Sequence, residues 1–171
     1  MTTALVLASS RSGGNTRALI DLAFPSGDIA FEDLCKLNVG YYSYESANEG
    51  DDFFPLVQRL LRHDTWVIAT PLYWYSMSAQ AKTLLDRLTD LLTVHKDEGR
   101  LLRGRSLAVL CTGTDPSPPH GFEEPFRSTC EYLGMRYLGM HYSQFQGLHP
   151  VGPDAGELAQ AFARSLGRGD A

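Results

Sequence analysis

The sequence predicts a three-layer α/β protein, a five-stranded parallel sheet with helices on both faces. Three observations carry this reading. Short apolar runs alternate with longer amphipathic stretches along the whole chain. The runs at 4–8, 66–70 and 106–112 are almost continuously apolar, as strands covered on both sides must be. No linker or repeat interrupts the alternation, so residues 1–171 are expected to form one domain.

Residues 4–8 open the chain as a strand. Residues 15–23 follow as a helix, with Leu19, Ile20 and Ala23 along one side. A weaker strand pattern covers 28–34, and 35–50 is a loop rich in Tyr, Ser, Asn and Gly. Asp51 or Asp52 is placed to cap the next helix, whose Phe53, Phe54, Val57, Leu60 and Leu61 form a buried stripe. The strand at 66–70 ends at Pro71. A long helix from about Met77 carries Met77, Ala81, Leu84, Leu85, Leu88, Leu91 and Leu92 on one face. After the strand at 106–112 come a helix at about 122–133 and a fifth strand at 137–145. Asp154-Ala155-Gly156-Glu157 resembles a capping box opening the last helix, and the tail at 167–171 is expected to fray.

The chain has 15 Lys and Arg against 20 Asp and Glu, a net charge of -5. No basic excess exists to neutralise phosphates, which argues against nucleic acid as a partner. Cys35, Cys111 and Cys130 are sparse and odd in number, so they read as reduced thiols. The spacing of Cys130 and Arg136 matches a phosphatase loop, but the residues between them lack the glycines such a loop needs. No Cys/His spacing suits a metal. The apolar run at 4–8 is too short for a signal core or a membrane span, which places the protein in the cytoplasm as an expectation.

Parallel α/β sheets bind ligands beyond the carboxyl ends of their strands, where strand order reverses. The loops after the first, third and fourth strands have the unusual compositions. Loop one reads Ser9-Ser10-Arg11-Ser12-Gly13-Gly14-Asn15-Thr16-Arg17. Its glycines allow a sharp turn, and free amides at the helix start favour a phosphate. Ser9, Asn15 and Thr16 add side-chain donors and Arg11 adds charge; a plain capped turn is the alternative. Neither GxxxxGK[ST] nor GxGxxG is present.

Loop three reads Thr70-Pro71-Leu72-Tyr73-Trp74-Tyr75-Ser76-Met77-Ser78. Three adjacent rings cannot all enter the core, so at least one is expected to face a cleft. The amides from Leu72 to Ser76 can meet the polar edge of a heterocycle, and Ser76 or Ser78 can instead cap the helix. Packing or a subunit contact is the alternative for the rings. Thr112, Gly113 and Thr114 in loop four can line the far side of the ligand. Cys111 reads as a buried strand residue. His120 reads as a solvated loop histidine or a substrate contact. Tyr41, Tyr42 and Tyr44 read as loop packing or as neighbours of the ligand or partner.

The segments Ser9-x-Arg11-x-Gly13-x-Asn15-Thr16 and Thr70 to Ser78, with the helix continuing Ala79-Gln80-Ala81-Lys82-Thr83-Leu84-Leu85-Asp86-Arg87, resemble the NADPH-dependent FMN reductase family of flavodoxin-like quinone reductases. The resemblance runs from the first strand to about Gly147. It implies a flavodoxin-like sheet in the order 2-1-3-4-5. It implies an FMN phosphate on Ser9, Arg11, Gly13, Gly14, Asn15 and Thr16, with Pro71, Leu72, Tyr73, Trp74, Tyr75 and Ser76 beside the ring and Thr112, Gly113 and Thr114 opposite. It also implies a homodimer, NAD(P)H as co-substrate, and a quinone, flavin or similar small acceptor. No side chain is then required as acid or base, because the flavin carries the chemistry. Many relatives carry a cysteine-rich second loop; here only Cys35 remains there, which counts against an iron–sulfur version. A flavodoxin-type electron carrier is the alternative.

Overall fold

The computed structural model describes residues 1–27, 29–45, 48 and 50–167. Four long parallel strands form the frame: β1 (Thr3–Leu7), β3 (Thr65–Tyr73), β5 (Ser106–Gly113) and β6 (Arg136–Gln146). The shorter β2 (Ala30–Asp33) lies parallel beside β1. These five run in the order β2-β1-β3-β5-β6, so strand order reverses between β1 and β3. The expected count of five strands is too low. A two-residue β4 (Ser76–Met77) pairs antiparallel with β3, and β7 (His149–Pro150) pairs antiparallel with β6, making the sheet seven-stranded and mixed. Both additions are tight returns of a strand that outruns its neighbours. Asp28, the expected start of the second strand, lies outside the described residues, as do residues 168–171 of the expected frayed tail.

The continuous apolar runs follow from burial on both faces. Ala4, Val6, Trp66, Ile68, Leu107 and Val109 face one core, with α2 (Phe53–Leu60), α3 (Ala79–Arg87) and α6 (Glu124–Leu133) over it. Leu5, Leu7, Val67, Ala69, Ala108 and Leu110 face the other, covered by α1 (Asn15–Ala23) and α7 (Ala155–Leu166). Between Leu107 and Val109 the pairing with β6 shifts register. Gly139 sits at this bulge with φ +99, a conformation that suits glycine.

Several helix details depart from the sequence expectation. In α2 Leu56 is buried in place of Phe54, which instead stacks on His95 at 3.7 Å. Asp51 Oδ1 accepts from the Phe53 amide at 2.9 Å, while Asp52 turns to the Asn38 amide at 2.7 Å. The single helix expected from Met77 to Leu92 is broken into α3, α4 (Asp90–Thr93) and α5 (Lys96–Arg100). The amides of Leu88 and Thr89 tighten onto the carbonyls of Leu85 and Asp86, three residues back, and the axis turns. Leu92 is consequently exposed, whereas Leu88 and Leu91 stay buried. Asp154 precedes α7 without a side-chain cap, so the expected capping box does not form. Among the described residues no helix is long and apolar enough to cross a membrane.

Arg87 explains the break and more. It is buried at the end of α3, and its Nε donates to Asp90 Oδ2 at 2.7 Å. Its Nη1 donates to the Gly40 carbonyl at 2.9 Å and to Asp51 Oδ2, and the guanidinium lies 4.6 Å from the Phe53 ring centroid. One cation therefore ties α3, α4, the start of α2 and the loop after β2 together. Burial opposes its charge, but the bonds to Asp51 and Asp90 outweigh that and raise its pKa. Burial likewise opposes ionised Asp51, but the bonds from Arg87 and the amides of Phe53 and Gly40 prevail and lower its pKa.

Removing one partner leaves the other charge buried and unpaired. Arg87→Ala is expected to lose about 3–5 kcal/mol of stability in urea unfolding. Asp51, with its depressed pKa, stabilises fully above its ordinary value of 3.8, and that contribution is lost as pH falls through the lower folded value. Asp51→Asn is therefore expected to melt below the parent at neutral pH, with the gap narrowing as pH drops below about 4.

Candidate functional site

Three loops leave the carboxyl ends of β1, β3 and β5, and buried hydroxyls fix where they meet. Ser78 precedes α3 and caps it, its Oγ accepting from the Ala81 amide at 3.1 Å. The same hydroxyl donates to the Ala8 carbonyl at 2.6 Å, at the exit of β1. Thr70 Oγ1 accepts from the Ser78 amide at 3.0 Å. Loop one is thus fastened to the start of α3. A second fastening joins loops one and four: Thr16 Oγ1 and Thr112 Oγ1 lie 2.9 Å apart, both buried.

The resulting cleft, of about 130 Å³, is lined by Ser9, Arg11, Asn15, Thr16, Pro71, Leu72, Tyr73, Thr112, Gly113 and Thr114. Ten of the fifteen residues expected at the site from sequence line it. All three loops contribute, across the point where strand order reverses. The other five lie beside it. Gly14 has φ +145 and passes under the Arg11 side chain, where a Cβ would come within 2.5 Å of Arg11 Nε. A residue other than glycine there would displace Arg11 from the cleft. Gly13 has open space around it.

Trp74 and Tyr75 form the two-residue turn between β3 and β4, with φ 48 and 66. A turn of this kind needs positive φ at both central positions and ordinarily uses Asn-Gly. Two aromatics there cost about 1–2 kcal/mol each in backbone strain. They are 94% and 72% exposed and do not line the cleft, with Ser76 exposed beside them. Tyr73 alone of the three rings lines the cleft, its hydroxyl 3.3 Å from Ser10 Oγ.

The start of α1 is electropositive. The helix has no side-chain cap and no acidic residue in its first turn, so its leading amides remain open to an anion. Asn15 Oδ1 is buried without a hydrogen-bond donor among the described residues. Asn15 lines the cleft, and its amide carries donors of the kind a phosphate oxygen accepts from. Ser9, Thr16 and Arg11 supply further donors, so the residues present fit a phosphate monoester.

Loop four is held by residues with no mark in the sequence pattern. Tyr142 donates to the Asp115 carbonyl at 2.6 Å, and Gln144 Nε2 donates to the Thr114 carbonyl at 2.8 Å. A Cβ on Gly113 would meet the Tyr142 hydroxyl at 2.5 Å. Burial raises the Tyr142 pKa, with Cys111 and Asp115 adding to it, so the phenol stays protonated and remains a donor. The period-two pattern of β6 is the one available signal, since Tyr142 and Gln144 share a face.

Cys111 is fully buried and its thiol is pushed up to about 12 by burial, which excludes it as a nucleophile near neutral pH. Cys130 is buried in α6 and reaches about 12 through burial, with Glu131 adding to it, so it is not a phosphatase nucleophile either. His120 is exposed in a separate cleft with Pro118, Pro119 and Arg127. Tyr42 and Tyr44 pack edge to face at 5.1 Å, and Tyr41 lines a cleft between the second loop and α3.

The strand order, with a cleft at its reversal point, defines the class: a doubly wound α/β protein. The chain belongs to the Flavodoxin_2 family, described as having a flavodoxin-like fold, whose model matches residues 4–167. It is 27% identical over 154 residues, covering 81% of this chain and 82% of the relative, to a Bacillus subtilis protein, YwqN, provisionally named an NAD(P)H-dependent FMN-containing oxidoreductase. Among solved structures, the Trp repressor binding protein from Bacillus subtilis matches with TM-score 0.74 and 23% identity, covering 99% of this chain and 100% of that one. An NADPH-quinone reductase from P. pentosaceus matches with TM-score 0.71 and 19% identity over the same shares. These two structures show a shared fold.

Ser78 bears on stability and on the site together. Ser78→Ala removes a helix cap and leaves the Ala8 carbonyl without its buried donor. A loss of about 2–4 kcal/mol in urea unfolding is expected from the two effects.

Proposed function

We propose that the chain is an FMN-dependent oxidoreductase, passing electrons from NAD(P)H to a quinone, flavin or similar small oxidised acceptor. The observation that carries the reading is the convergence of a phosphate-suited loop and two further loops on one cleft. The name of the YwqN relative supports it. When bound, FMN would supply the redox chemistry, the transfer of two electrons between the nicotinamide and the acceptor.

The chain's own residues bind and orient. The amides of loop one and the first turn of α1, with Ser9, Asn15 and Thr16, would hold the phosphate, and Arg11 would balance its charge. Pro71, Leu72 and Tyr73 would form one wall for the ring, and Thr112, Gly113 and Thr114 the other. Trp74 and Tyr75, strained and exposed, would cover the open side or meet a second subunit of a homodimer. Residues 1–171 would act as one cytoplasmic domain, with no catalytic side chain needed.

A carrier and an enzyme differ in their response to pyridine nucleotide. Anaerobic NADPH is expected to bleach the 450 nm band of the FMN-loaded protein within seconds; bleaching only by dithionite would favour the electron carrier. Arg11→Ala is expected to weaken FMN about tenfold or more, as loss of a charge-assisted contact implies, and to leave riboflavin affinity unchanged.

A further inference from the structure

Two side chains of β6 take hold of loop four from outside the cleft. Gln144 Nε2 donates to the Thr114 carbonyl at 2.8 Å, and the Tyr142 hydroxyl donates to the Asp115 carbonyl at 2.6 Å. Neither side chain lines the cleft, whereas Gly113 and Thr114 do. The two carbonyls are consecutive, so the clamp sets the direction of whole peptide groups as well as the place of the loop. In a trans peptide the N–H points opposite to the C=O. With the Thr114 carbonyl drawn to Gln144, the Asp115 N–H of the same peptide group is directed away from Gln144. That N–H finds no backbone acceptor among the described residues. Pro116 follows and has no N–H, so the Asp115 peptide is the one donor this stretch can offer. Gly113 is matched to the clamp: a Cβ there would come within 2.5 Å of the Tyr142 hydroxyl, so only glycine lets the phenol approach.

We infer that Gln144 and Tyr142 are positioning residues that set the redox preference of the cleft. By withdrawing two carbonyls toward β6, they make loop four present a donor, the Asp115 N–H, in place of two acceptors. The inference rests on the FMN reading above and deepens it. A hydride from NAD(P)H carries two electrons and one proton, leaving NAD(P)⁺ and adding one negative charge to a neutral ring. A preorganised donor beside the ring favours that more negative state, whereas a carbonyl turned to it would oppose it. The clamp therefore makes the cleft bind the reduced cofactor more tightly than the oxidised one. Both clamping side chains are neutral, so they act through the peptide dipoles they orient and not through charge of their own. The exposed Asp115 carboxylate would oppose the added charge, but it is the same in the parent and in variants of the clamp.

Gln144→Met and Tyr142→Phe test this, since each removes one donor without changing the net charge. FMN affinity is read by flavin fluorescence. The midpoint potential of the bound cofactor is then read by anaerobic titration with dithionite against a reference dye, with free FMN measured alongside. The parent is expected to hold FMN at a potential above that of free FMN. Each variant is expected to lose about fivefold of the preference for reduced over oxidised FMN, the worth of one neutral hydrogen bond, with the affinity for oxidised FMN kept within about twofold. Fivefold is a fall of about 20 mV in a two-electron potential. A merely structural role would weaken both redox forms alike and leave the potential unmoved, and that result in the variants overturns the inference. A parent potential at or below that of free FMN overturns it even if neither variant folds. Failure of the parent to take up FMN overturns the cofactor reading and this inference with it, whereas uptake with an unmoved potential overturns the inference alone.

Discussion

Ser78 holds together three elements that the chain reaches at separate times. Its hydroxyl takes the Ala81 amide, receives Thr70 and gives its own proton to Ala8. All of this is buried, so each bond left unmade would cost more than a surface bond is worth. The consequence is geometric. The exit of β1 and the start of α3 cannot separate, and loops one and three therefore face each other across the reversal of strand order. The Thr16–Thr112 contact adds loop four from the other side. A cleft built of loops gains in this way the rigidity of the sheet beneath it.

Arg87 does for the neighbouring segment what Ser78 does for the loops. The chain after β2 contains little that could fold by itself, and its position is set by a buried cation and the carboxylates of Asp51 and Asp90. Burying such a cluster is justified here by placement rather than by net stability, since an apolar substitute of equal volume can be as stable. What an apolar substitute would lose is the fixed direction of the Gly40 carbonyl, and with it the packing of Leu37 and Val39 against the core.

The frame was legible in the sequence because burial on both faces leaves a continuous apolar signature, as at Ala4 to Leu7. The three loops were legible because glycine, hydroxyl and aromatic residues crowd into them. Other features had no local signal. Arg87 and Asp51 are far apart in the chain, and nothing in either neighbourhood marks them as a pair. The β3–β4 turn lacks the Asn-Gly that marks such turns, because Trp74 and Tyr75 occupy its positive-φ positions at a cost in strain. The break after α3 was hidden by an apolar face that continues in sequence through Leu92 while the axis turns beneath it. Tyr142 and Gln144 were legible as strand residues only, since their role depends on a loop that lies across the sheet edge.

The proposed function depends on one cleft accepting a flat, monophosphorylated molecule by its phosphate. Equilibrium titration of the unmodified protein with FMN and with riboflavin, followed by flavin fluorescence, tests this most directly. Two or more charge-assisted contacts to the phosphate predict that FMN binds about a hundredfold more tightly or better. Equal affinities, or no saturable binding of FMN, would contradict it.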